Sequence, residues 1–181
     1  MTEQQYDNLK ENYLKHIKRY MKEAGGLFPH ITILADHLNE TEDPKSAVIH
    51  IPIPDEYMEN DEAKDEFIED ILPDIMKTVK EKFKPHAIAW TSEAWMRVAD
   101  KDFNFNEHTY KLLPKKEVLF VSIETEDKQE HHIYEMKRTG MKVTDEGDLC
   151  DDIDLIQMED SMSNAPLKGR FSGLYKKLIN S

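Results

Sequence analysis

The chain has 181 residues, with 24 Lys and Arg against 37 Asp and Glu, a formal charge of −13 at pH 7. Hydrophobic residues make up 39% and charged residues 34%, which is polar but leaves enough apolar side chains for a core, so a wholly disordered chain is excluded. The acidic balance argues against direct nucleic-acid or anionic-membrane binding, because phosphate contact needs a basic face. The length suits one domain over residues 1–181. No apolar run nears the roughly 20 residues of a membrane span. Met1-Thr2-Glu3-Gln4-Gln5 lacks the basic and then apolar order of a signal peptide, so a cytoplasmic location is expected. Cys150 is the single cysteine, which excludes an internal disulfide and a cysteine zinc cage.

Thr2 and Gln5 read as a capping box, and behind them Tyr6, Leu9, Tyr13, Ile17, Tyr20 and Met21 recur at helical spacing. This helix should end at Gly25-Gly26. Two β-branched runs follow, 31–35 and 47–53, separated by a polar stretch, and predict a hairpin with a long loop. Pro52 places the second run at a sheet edge or at a strand end. Over 61–83, Phe67, Ile68, Ile71, Leu72, Ile75, Met76, Val79 and Phe83 trace one helical stripe, which Pro73 should kink or split near Leu72. Strands are expected at 86–96, 117–125 and 130–138, the last two joined by the turn Glu126-Asp127-Lys128-Gln129. Residues 145–160 hold eight acids and no Lys or Arg, with Ile153, Leu155 and Ile156 able to anchor a short strand or turn. Residues 161–181 form a basic, peripheral C-terminal segment in which Phe171, Leu174, Tyr175, Leu178 and Ile179 suggest a short last helix.

This order predicts an α+β fold of two layers, an antiparallel sheet of about five strands with helices packed on one face. The opposite face would then be polar, covered by the C-terminal segment, or buried in a homo-oligomer.

The densest string is 87–97. On a strand, Trp90, Ser92, Ala94 and Met96 point one way and Thr91, Glu93, Trp95 and Arg97 the other. A carboxylate and a guanidinium flanking an indole make a small binding patch, read here as Trp90, Glu93, Trp95 and Arg97. The competing reading is a central strand with one ion pair at its rim. Ser92-Glu93-Ala94-Trp95-Met96, followed after a loop by Pro114-Lys115-Lys116-Glu117-Val118-Leu119 and a second strand, resembles a loosely related group of uncharacterised bacterial and phage proteins with a glutamate-alanine-tryptophan strand. The resemblance spans residues 85–140; it implies strand pairing and no activity. The small size and lysine-rich, arginine-poor usage are similar to phage-encoded accessory proteins.

Other chemistry is thinner. His30, Asp36, His37 and His50 fall on or beside the first hairpin, and histidines with a carboxylate make a minimal zinc or iron ligand set. No HExxH or HxH spacing supports it, and surface histidines titrating near neutrality are the plainer reading. Asp100, Asp102, Asn104 and Asn106 alternate like a calcium loop, but Phe105 and Lys111 break the pattern. No phosphate-binding glycine loop or nucleophile elbow occurs, and the acids around Cys150 should raise its pKa.

The strongest remaining signal is acidic. Residues 55–74 hold ten acids against Lys64, on the helix face opposite the apolar stripe. Glu62, Glu66, Glu69 and Asp70 lie at its centre. The expected function is a non-enzymatic acidic binding or accessory protein, phage-like, that engages a basic protein partner through this face and needs no cofactor. A solvated face that keeps the chain soluble is the simpler account of the same acids. The alternatives are a small metal-dependent hydrolase using the His30, Asp36, His37 and His50 cluster, and a structural homo-oligomer component joined through the second sheet face.

Overall fold

The computed structural model describes residues 2–38, 46–97, 111–158, 171 and 173–179. Helix α1, Glu3–Ala24, opens on the expected capping box: the Thr2 hydroxyl accepts from the Gln5 amide at 3.3 Å, and the Gln5 side chain accepts from the Thr2 amide at 2.8 Å. It closes at Gly25, whose φ of 70° is left-handed. A Cβ on Gly25 would stand 2.7 Å from the backbone of Asp151, so glycine here both ends the helix and admits the last strand.

Six strands follow: β1 His30–His37, β2 Ser46–Pro52, β3 Phe83–Arg97, β4 Lys115–Glu124, β5 Gln129–Val143 and β6 Leu149–Gln157. They form one curled antiparallel sheet in the order β2-β1-β3-β4-β5-β6. The α+β class stands, with one strand more than expected. The sixth comes from the acidic stretch after Gly147, where Ile153 and Leu155 fall on the covered side and Asp152 and Asp154 on the exposed one. Carboxylates along an edge strand also oppose pairing with another chain.

The expectation of helices on one face is corrected. Helix α1 covers one face, packing Tyr13, Leu14, Ile17 and Met21 against Leu34, Ala87, Ala89, Leu119, Val121 and Tyr134. Helix α2, Asp61–Glu66, a π-helical turn at Phe67–Ile71 and helix α3, Leu72–Lys82, cover the other, packing Phe67, Ile68, Leu72 and Met76 against Ile31, Ile33, Ile51, Ile88 and Trp90. There are therefore three layers. The cause lies in β1 and β3, where residues 30–35 and 87–92 are buried at both side-chain parities, so each strand is covered on both faces.

The break expected near Leu72 is the π turn, in which the Leu72 amide reaches back to the Phe67 carbonyl. Pro73 has no amide to donate, and the wider turn absorbs the lost bond. No helix among the described residues is long and apolar enough to cross a membrane.

The C-terminal helix α4, Leu174–Leu178, joins the second core through Leu174, Tyr175 and Leu178. Its amino end is held by Glu124, a carboxylate only 5% exposed at the end of β4. Glu124 accepts from the Gly173 amide at 2.8 Å, the Tyr175 amide at 3.0 Å and the Gln129 side chain at 2.8 Å. Phe171 lies flat on Trp90, ring centres 3.8 Å apart. Residues 161–170 of the segment read as peripheral lie outside the described residues, as does Asp100–Asn106.

Replacing Glu124 with Ala leaves the buried Tyr175 amide and the half-buried Gly173 amide without their acceptor, a buried orphan costing about 1–3 kcal/mol. Urea unfolding of Glu124→Ala should lose roughly 2–3 kcal/mol. A loss under about 0.5 kcal/mol, the range of a neutral surface change, would show that the carboxylate does not hold the helix.

Candidate functional site

Strand alternation places Glu93 and Trp95 on the α1 face and Trp90 on the opposite one. Trp90 is 8% exposed and sits in the second core beneath Phe171, so its place in the expected patch is corrected to a packing role. Trp95 is 67% exposed. Arg97 turns away from Glu93 and donates to the carbonyls of Lys111, at 2.8 Å, and Leu113. Glu93 and Arg97 therefore do not form the expected pair.

The cation beside Glu93 is Arg138 on β5, a residue the sequence reading passed over. Its guanidinium forks onto Glu117 of β4 at 3.0 and 2.5 Å, bonds Asp151 of β6, and lies 3.5 Å from Glu93 of β3. One side chain thus ties four successive strands. The Glu117 bonds hold Arg138 firmly protonated. Burial raises the Glu93 carboxyl, an effect opposed by its bond from the Leu27 amide and by Arg138, and reinforced by the acids Glu117 and Asp151.

That Leu27 bond, 2.6 Å long, links the charge cluster to a cleft. Held by Glu93 at Leu27 and by the Ile53 amide at the Pro29 carbonyl, 2.9 Å, the connection from α1 to β1 lines a cavity of about 300 Å³ together with His16, Ile17, Tyr20, His30, His50 and Pro52. The walls are mostly apolar, and the polar side chains are three imidazoles and the Tyr20 phenol. His30, 8% exposed, lies deepest. Its Nδ1 donates to the Phe28 carbonyl at 3.0 Å, because a carbonyl can only accept. Its Nε2 is then the acceptor of a neutral ring, buried and without a hydrogen-bond partner. The His50 ring stands edge-on to it at 5.5 Å, and the His16 ring lies 6.0 Å from that of His50. The His50 Nδ1 meets the Thr32 hydroxyl at 2.9 Å.

Burial pushes both imidazoles below their ordinary values, and the neighbouring histidines lower them further, against the Phe28 bond in the case of His30. His30 and His50 thus come together as the sequence spacing suggested, but Asp36 and His37 do not join them. Those two lie at the far end of β1, about 20 Å away at strand rise, where Asp36 pairs with His86 at 2.7 Å and His37 packs on Phe83, ring centres 4.7 Å apart. Among the described residues no group of three or more His, Cys, Asp or Glu side chains could hold a metal ion. The histidine cluster expected for a hydrolase is not assembled.

Comparison of the chain with family models, with curated proteins and with solved structures gives no significant match. Function must accordingly be argued from these surfaces alone. Glu62, Glu66, Glu69 and Asp70 are all exposed, on the layer that covers the face opposite α1. The His16 and Tyr20 pair was missed, though a histidine and a tyrosine four residues apart beside the buried stripe of α1 are visible in the sequence.

Two outcomes follow. A base whose folded pKa is depressed binds fewer protons in the native state than in the unfolded one, so stability rises with pH between the two values. Acidification from about pH 7.5 to about 5.5, through the ordinary histidine value near 6.5, should therefore lower the unfolding free energy. The slope should shrink in His30→Phe; an unchanged slope in urea titrations at several pH values would show that His30 is not held neutral. In a double-mutant cycle, Arg138→Met and Glu117→Gln should couple by about 1 kcal/mol, weakening in high salt; additive losses would mean that the fork contributes nothing.

Proposed function

We propose that the protein is a non-enzymatic acidic binding protein that engages a basic protein partner through the outer face of the α2, π-turn and α3 layer. The observation that carries this reading is the presentation of the carboxylates. Glu62, Glu66, Glu69 and Asp70 are exposed along one face, while the other face of the same segment is anchored by Phe67, Ile68, Leu72 and Met76, all nearly inaccessible. The charges therefore sit on a fixed frame, with Lys64 drawn to Asp61 at 3.8 Å. A fixed run of one sign steers an oppositely charged partner and speeds its association more than it deepens the final affinity. An accessory role matches the small size and the formal charge of −13.

The test is capture by immobilised protein from a lysate of the cells that make it, at low and raised salt. Reversing Glu62, Glu66, Glu69 and Asp70 to Lys should abolish capture of a basic protein that wild type retains at low salt. The same number of reversals on α1, at Glu3, Asp7, Glu11 and Glu23, should leave most of it. Equal loss in both sets would show that net charge alone acts, and undiminished capture by the first set would remove this face from consideration.

A further inference from the structure

The cleft between α1 and the β1–β2 edge plays no part in the proposed use of the acidic face, which lies across the sheet. It has the composition of a small-ligand site, with apolar walls and few polar groups, in a volume of about 300 Å³. Its rim carries two exposed aromatic rings, Phe28 at 69% and Tyr20 at 42%, and its floor carries a buried acceptor with no partner, Nε2 of His30. Aromatic rings left in water beside a buried lone pair left unpaired are both unfavourable as they stand, and a single molecule would relieve both.

We propose that this cleft binds a phenol-class ligand, an aromatic hydrocarbon body bearing a hydroxyl donor, with the ring between Ile17, Leu27, Phe28 and Pro52 and the hydroxyl on Nε2 of His30. The donor requirement follows from the bonding already present. The Phe28 carbonyl holds the proton on Nδ1 of His30, so Nε2 offers only a lone pair, which matches O–H and not a carbonyl oxygen. The flat body follows from the rings at the rim, which give faces and edges for stacking at little entropic loss. His50 forms the adjoining wall: its ring stands edge-on to His30 at 5.5 Å and is anchored through Nδ1 to Thr32 at 2.9 Å. The wall is held in place from outside, since the Glu93 carboxylate grips the Leu27 amide at 2.6 Å.

The experiment titrates the full chain with 4-ethylphenol and, separately, with ethylbenzene, following side-chain and imidazole nitrogen signals by NMR. Wild type should bind the phenol about tenfold more tightly, the ratio expected of one net hydrogen bond, and the Nε2 signal of His30 should move on addition of the phenol only. In His30→Phe the preference should vanish while ethylbenzene still binds. Phe28→Ala, a change at an exposed position, should weaken both ligands by a similar factor and serves if the His30 variant does not fold. Equal affinity for the two ligands in wild type, a preference that survives in His30→Phe, a stationary Nε2 signal at saturation, or no binding of either molecule would each overturn the proposal.

Discussion

Burial of β1 and β3 on both faces is the constraint from which the rest of this architecture follows. Ile31, Ile33, Ile88 and Trp90 point to one side and Leu34, Ala87 and Ala89 to the other, and all are 8% exposed or less. Neither face can be left to water, because removing apolar surface from water is worth about 25 cal/mol per Å². Helix α1 therefore closes one side, while the α2 to α3 segment, with α4, closes the other. Ala87 and Ala89 meet α1 on one side, whereas isoleucines and Trp90 meet Phe67, Leu72 and Met76 on the other.

Three polar residues of β3 and β4 meet partners on other elements. Thr91 meets the Tyr13 hydroxyl at 2.6 Å, Glu124 meets the amides that begin α4, and Glu93 divides its carboxylate between the Leu27 amide and Arg138. In each case a charge or hydroxyl at the margin of the core fixes a connection that hydrophobic packing, which has no direction, would leave free to slide. The Arg138 cluster does this for four strands at once. Its three carboxylates would repel one another without the guanidinium, so the strand ends and the entry to β1 are held in register by the same cation. The cleft inherits its shape from that arrangement, since Leu27 and Phe28 lie on the segment that Glu93 grips.

The two surfaces considered for function lie on opposite sides of the sheet and differ in physical kind. The acidic layer is exposed, charged and effective at a distance, falling off over a Debye length of about 8 Å at physiological salt. The cleft is concave, mostly apolar and acts only in contact. Neither shares side chains with the other.

Much of the local structure was legible in the chain because it depends on neighbours in sequence. The capping box at Thr2 and Gln5, the helix stop at Gly25, the break before Pro73, the first hairpin and the turn after Glu124 all follow from spacing and backbone chemistry. So does the exposure of Glu62, Glu66, Glu69 and Asp70, because an apolar stripe on a helix dictates the opposite face. What only the tertiary structure decided was partnership. Alternation alone cannot say whether a strand with two apolar parities has one helix layer or two, nor that Glu93 finds Arg138, 45 residues away, in preference to Arg97 on its own strand. It cannot bring His16 of α1 to His30 and His50, or separate Asp36 and His37 from them. Those outcomes depend on which elements meet across the sheet, and contact between distant segments is set by the packing of the whole core, which no local spacing encodes.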